Sequence, residues 1–160
     1  CISRLFDVVL NKVLKGEDMA VRKANATWRG DLSSGAGEMS TETGAVKGPF
    51  SFKSRFEEEQ GTNPEELIGA AHAGCFSMAF GKQLSDQGYA PEKVSTEASV
   101  TLHAGDDGIA ITKIHLTSHA KVPGIDQEQF TSLAEAAKKG CPVSKALAGV
   151  EISLDANLSN

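Results

Sequence analysis

The chain has 160 residues, 40% of them hydrophobic, which fits one globular domain with a real core and leaves little for a second. A formal charge of −5 and a pI near 5.4, with no Lys/Arg cluster interleaved with aromatics, exclude a nucleic-acid or anionic-membrane surface as its main business. No apolar run approaches the roughly 18 residues of a membrane span. Three cysteines, an odd number in a chain too large to need disulfide staples, point to a reducing, cytoplasmic compartment.

Residues 1–18 read as a leader or an added extension ahead of a single domain over 19–160, because Met19 opens "MAVRKANATWRG" in the manner of a natural start. Ile2, Leu5, Phe6, Val9 and Val13 have helix-like spacing, but the charged start and long apolar centre of a secretory signal are missing. Cys1, at a chain end, is read as incidental.

Strand-like segments around 22–29 and 36–43 flank the Gly/Ser turn "DLSSGAG" and predict a hairpin. "PFSFKSRF" alternates Phe50, Phe52 and Phe56 with Ser51, Lys53 and Arg55 and predicts a half-buried strand whose outer face carries Arg55. On composition alone Arg55 is a solvated surface arginine.

"TNPEEL" supplies a helix start, with Asn63 as N-cap, Pro64 at the first helical position, and Glu65 and Glu66 in the first turn. The helix is expected to run to Gln87 and stop at Gly88. Its middle, "IGAAHAGCFSMAF", is apolar on every side and rich in small residues, which predicts burial all round, completed by a partner subunit. Residues 94–102 and about 109–122 form an antiparallel pair across "AGDDG". A second helix follows Asp126 and stops at Gly140; Pro142 opens a short third helix through Leu147, and "EISLDANL" closes the chain as a strand. This order is α+β rather than repeating βαβ.

The cysteines are the main chemical candidates. Cys75 lies mid-helix among apolar neighbours, where burial raises a thiol pKa and leaves it inert unless a cation is near. Cys141, just ahead of Pro142, lies where backbone N–H groups converge and its pKa falls. These considerations do not rank the two thiols. Their separation of 66 positions excludes a local Cys-x-x-Cys motif or zinc knuckle. His115 and His119 share a strand face but lie about 13 Å apart at the usual rise, too far for one zinc ion. His72, three residues before Cys75, is read as a core histidine in preference to the base of a Cys/His hydrolase, since side chains stacked on one helix leave no room for a substrate carbonyl. Asn25-Ala26-Thr27 matches a glycosylation sequon, a pattern frequent by chance, and Glu57 to Glu59 are read as a solvated turn.

Taken together, "GTNPEELIGAAHAGCFSMAF", "FKSRF", "AITKIHLTS", "VPGID" and "GCPVS" strongly resemble the osmotically inducible protein C (OsmC) family, over nearly everything from Met19 onward. His72 and the "GCPVS" form resemble OsmC more than its sister group, the organic hydroperoxide resistance (Ohr) proteins. The resemblance implies an α+β, intertwined homodimer with antiparallel sheets around a buried central helix. It implies a thiol peroxidase that reduces organic hydroperoxides and, less well, hydrogen peroxide, in stress defence, with no metal, haem or flavin and a thiol or dithiol reductant as electron donor. It makes Cys75 the peroxidatic and Cys141 the resolving cysteine, joined in a disulfide during turnover; Arg55 then activates thiolate and peroxide, and Glu65 orients Arg55. A non-catalytic ligand-binding or scaffold dimer with packed cysteines is the alternative from another class, and the hydrolase a weaker third.

Overall fold

The computed structural model describes residues 15–16 and 18–159, so Cys1 and the apolar spacing from Ile2 to Val13 lie outside the described residues. The chain forms two compact units that meet in sequence between Thr62 and Asn63.

In the first unit, β1 (Ala24–Arg29), β2 (Ala36–Thr41) and β3 (Lys47–Ser51) make an antiparallel meander. Its first turn is organised by Asp31, whose carboxylate accepts from the backbone N–H groups and hydroxyls of Ser33 and Ser34. Those donors, the Ser34 hydroxyl first, hold its pKa well below the usual carboxylate range. Gly37 is required where β2 passes under Phe50, since a Cβ there would come within 2.4 Å of the ring.

The strand expected through "PFSFKSRF" ends early. β3 stops at Ser51, and Phe52–Phe56 is a short helix, α1. A capping box decides it: Ser51 Oγ accepts from the Ser54 N–H at 3.0 Å, and Ser54 Oγ accepts from the Ser51 N–H at 2.9 Å. Phe52 and Phe56, four apart, satisfy a helical period as well as an alternating one, and their rings lie 4.8 Å apart. Arg55 therefore sits in an exposed helical turn rather than on a strand, its guanidinium 5.2 Å from the centroid of Phe56.

The second unit contains α2 (Pro64–Asp86), β4 (Lys93–Gly105), β5 (Gly108–Lys121), α3 (Gln127–Gly140), α4 (Pro142–Ala146) and β6 (Glu151–Ser159). β4 and β5 form the expected hairpin, and β6 adds to β5 in parallel, giving the order β4-β5-β6. The register stacks Ala98, Leu116 and Leu154 in one row and Val100, Ile114 and Ile152 in the next, a continuous apolar face. α2 and α3 lie on that face. Where α2 crosses β4, a Cβ on Gly69 would be 3.1 Å from the Ala98 carbonyl oxygen, so a glycine sets the closeness of approach. Phe80 of α2 meets Phe130 of α3 edge-on at 5.2 Å.

α2 starts as its sequence dictates, with Asn63 Oδ1 accepting from the Glu66 N–H at 2.8 Å and Pro64 in the first turn. Gly69, His72, Phe76, Phe80 and Leu84 form its buried stripe. The opposite side, Ala70, Ala71, Gly74 and Met78, is exposed, Met78 by 80%. Within the described residues of the second unit, the sheet, α3 and α4 cover one side of α2 and leave this side exposed.

His72 is the one histidine among the described residues whose side chain is fully buried. Burial pushes its pKa below the ordinary 6.5, so the imidazole is neutral near neutrality. The unfolded chain then binds more protons than the folded one below pH 6.5, and the stability present above that pH is lost as pH falls toward the lower folded-state value. Urea midpoints should accordingly drop between pH 7.5 and 5.5, with a shallower drop in His72→Gln; identical slopes for the two proteins would contradict the burial of a neutral imidazole.

Candidate active site

The last turn of α3 and the first residue of α4 place Cys141. Its N–H bonds the Ala137 carbonyl at 2.8 Å, closing α3, while Pro142 cannot continue that helix and holds the residue before it extended. Cys141 therefore sits at a corner, at φ −58° and ψ 122°, and its side chain is fully buried. Cys75 lies midway along α2, half-buried.

These two sulfurs meet. Cys75 Sγ and Cys141 Sγ are 3.2 Å apart, a contact between free thiols that can share a proton and lie well beyond the ~2.05 Å of a disulfide. One helical turn earlier on α2, His72 Nε2 lies 2.7 Å from Ser144 Oγ of α4. Two i,i+3 pairs, His72/Cys75 and Cys141/Ser144, thus face each other as a ladder of two rungs.

The electrostatics of the rungs are unequal. Burial pushes the Cys75 thiol up, the Val143 N–H only partly offsets this, and the neighbouring Cys141 adds to it. Burial also opposes ionisation of Cys141. No side-chain hydrogen bond of full cap geometry forms at this corner, yet the Ser144 N–H, the Cys75 thiol, the Ser144 hydroxyl and the Val143 N–H together hold the Cys141 pKa below its ordinary value. Within the second unit, then, the stabilised thiolate is that of Cys141, as the convergence of backbone N–H groups ahead of Pro142 suggests.

Glu65 lies in the first turn of α2 and is nine-tenths buried. The helix runs unbroken from Pro64 through Cys75, so ten residues separate Glu65 from Cys75 along a rise of about 15 Å. Arg55 belongs to the first unit, on α1. His115 and His119 remain on β5; His115 Nδ1 lies 2.8 Å from Ser153 Oγ and its Nε2 3.3 Å from an Asp155 carboxylate oxygen, a surface pairing rather than part of the cysteine site. No His, Cys, Asp and Glu cluster among the described residues is placed to hold a metal ion, and no helix there is long and apolar enough to cross a membrane. Sequence reasoning passed over Ser144. The signal was available in "CPVS", where the serine follows Cys141 at the same spacing by which Cys75 follows His72.

A family model described as OsmC-like protein matches residues 57–155, a span that contains both rungs. The chain is 50% identical over 140 residues to the peroxiredoxin OsmC of Escherichia coli (strain K12), covering 87% of this chain and 97% of that protein. It is 30% identical over 140 residues to the organic hydroperoxide resistance protein OhrB of Bacillus subtilis (strain 168), covering 86% and 98% respectively. Among solved structures, an organic hydroperoxide resistance protein OsmC from Legionella pneumophila matches with a TM-score of 0.63 at 27% identity, over 88% of this chain and 99% of the other. The mixed α+β architecture, the paired thiols and these likenesses converge: the chain belongs to the OsmC family.

Proposed function

We propose that this chain is a cysteine-based peroxidase of organic hydroperoxides, with Cys75 as the peroxidatic and Cys141 as the resolving thiol. The observation that carries the reading is the 3.2 Å separation of two free sulfurs from distant parts of the sequence. A disulfide needs the sulfurs to close by only about 1.2 Å from there, so an oxidised Cys75 can be resolved without unfolding. The relatives named for peroxiredoxin activity and organic hydroperoxide resistance point the same way.

In this scheme the Cys75 thiolate attacks the terminal peroxide oxygen. The S–O bond forms as the O–O bond breaks, and the alkoxide leaves as an alcohol after taking a proton. Cys141 then displaces hydroxide from the Cys75 sulfenic acid, releasing water and leaving a disulfide that a thiol or dithiol reductant resets by exchange. In the proposal, apolar surroundings of the half-buried Cys75 accept the alkyl part of such a substrate. In this scheme the two thiols carry the oxidation and its resolution without a bound cofactor, and the external thiol or dithiol supplies the electrons that close the cycle. The alternative, a scaffold dimer with packed cysteines, leaves the close approach of the sulfurs without a use.

Burial raises the Cys75 pKa, so the attack needs a cation. Arg55 fills that role in the proposal. Its planar guanidinium, oriented by the Glu65 carboxylate, stabilises the Cys75 thiolate and polarises the peroxide. Residues 19–160 act as one domain in this reading, working in the reducing cytoplasm.

The scheme also requires a homodimer. Glu65 and Cys75 stand about 15 Å apart on one straight helix and cannot both flank a single guanidinium. The exposed side of α2, with Ala70, Ala71, Gly74 and Met78, is small and apolar and admits close approach of a second copy. Two such helices packed antiparallel about a two-fold axis bring each Glu65 toward the partner's Cys75, giving two equivalent sites.

Two experiments follow. Cys75→Ser should abolish peroxide reduction even in one turnover, whereas Cys141→Ser should still be oxidised once and then accumulate sulfenic or sulfinic acid at Cys75, both read by mass spectrometry. First-turnover activity retained in Cys75→Ser would reverse the assignment. Co-refolding inactive Glu65→Ala with inactive Cys75→Ser chains should restore activity in the heterodimers, through one intact site each; a mixture as dead as its parents rejects the shared site.

A further inference from the structure

The peroxidase scheme leaves one buried polar pair unused, where α2 meets α4. His72 is fully buried and Ser144 nearly so, and His72 Nε2 lies 2.7 Å from Ser144 Oγ. Either tautomer closes this hydrogen bond, with the ring N–H donating to the hydroxyl oxygen or the hydroxyl donating to the bare ring nitrogen. Nδ1 has no partner among the described residues, so Ser144 is the ring's one polar anchor there. Val143 and Leu147 also pack on this core, but apolar contact has no preferred direction and tolerates sliding. A hydrogen bond weakens steeply once its distance or angle drifts, so this one pins α4 to α2 in a single register.

We propose that the His72–Ser144 bond is a tether for the resolving step, holding the corner that carries Cys141 against α2 and so keeping the two sulfurs within closing distance. His72 and Ser144 are positioning residues in this account. The inference rests on the peroxidase reading and deepens it, by naming what keeps Cys141 within reach of oxidised Cys75.

Backbone geometry carries the position of Ser144 to Cys141. The Lys145 N–H donates to the Cys141 carbonyl at 3.0 Å and closes the first turn of α4, so Cys141 and Ser144 belong to one hydrogen-bonded turn. On the facing helix His72 and Cys75 lie one turn apart, and the two contacts cross the same gap, 2.7 Å at the tether and 3.2 Å between the sulfurs. During turnover the sulfurs must admit an oxygen atom on Cys75 and then approach to ~2.05 Å. In the closing step the Cys141 sulfur forms the S–S bond as the S–O bond of the Cys75 sulfenic acid breaks, and the Cys141 proton leaves with the departing hydroxide as water. The tether gives this step neither proton nor electron. It limits how far Cys141 can stray, which raises the effective concentration of one sulfur at the other.

The tether is tested with Ser144→Ala, His72→Leu and the double variant, all with both cysteines intact. Each is equilibrated with mixtures of reduced and oxidised dithiothreitol, and the Cys75–Cys141 disulfide is counted after acid quench and alkylation. Its equilibrium constant should fall about tenfold in each single variant, the scale of one lost buried hydrogen bond. That makes the potential about 30 mV less negative. In the double variant the loss should be no larger than in the worse single one, because the two changes remove the same bond. Oxidation by one equivalent of cumene hydroperoxide in the presence of dimedone should shift the product from disulfide toward the Cys75 sulfenate adduct by a similar factor. Ser144→Ala removes a single oxygen atom and decides the matter should His72→Leu not fold. An unchanged equilibrium constant and an unchanged product ratio in Ser144→Ala overturn the proposal, even with a lowered urea midpoint, which would mark a bond of structural use only. Losses that multiply in the double variant overturn it too. Failure of the peroxidase reading looks different: the parent would leave the hydroperoxide intact, while the dithiothreitol equilibrium involves no peroxide and still reports on the tether.

Discussion

Everything chemical in this chain depends on the approach of two sulfurs 66 positions apart in sequence to 3.2 Å. That approach is a packing result. α2 is drawn onto the sheet by Phe76, Phe80 and Leu84, α3 is held against it through Phe130, and the corner at Cys141 is set by a proline that ends one helix and begins the next. Interiors are packed at crystal-like density, so such an approach follows from how these elements fit together. The glycine at 69 contributes from the far side, by allowing α2 to sit close on β4.

The same burial that fixes the distance creates an electrostatic conflict. A thiol among phenylalanines resists ionisation, and the donors in the second unit favour a thiolate at Cys141 over one at Cys75. A resolving cysteine charged in advance is useful, because it attacks as soon as its partner becomes electrophilic. A peroxidatic cysteine held neutral is not, and the proposed roles of Arg55, Glu65 and a second copy of the chain all answer that one difficulty. Excluding water while importing a charge is a common solution where a dry pocket must host an anion.

Much of the second unit was legible because its signals are local and agree with one another. Asn63, Pro64 and the two glutamates mark one helix start, Asp126 and Gln129 another, and the alternation in β4 and β5 matches a hairpin over its whole length. The failures have equally local causes. At Phe52 and Phe56 a spacing of four fits both strand and helix, and the reciprocal serines Ser51 and Ser54 decide for the helix. The pairing of β6 with β5 in parallel cannot be read from an alternating strand alone, since alternation reports a face and not a neighbour. The apolar girth of α2 indicates that something must cover it, but among the described residues only one side is covered. Both cysteines were visible as candidates, and their pairing was implied only by the family resemblance, because nothing in a spacing of 66 encodes an approach made by tertiary packing. Ser144 escaped for the same reason: its importance lies in what it faces.

The most direct measurement is a count of thiols. Fully reduced protein, treated with one equivalent of cumene hydroperoxide per chain and then alkylated, should lose two reactive thiols per chain, with a peptide linking Cys75 to Cys141 in the digest and one equivalent of cumyl alcohol released. Unchanged thiols and intact hydroperoxide would contradict the account, leaving the two sulfurs as neighbours in a core and nothing more.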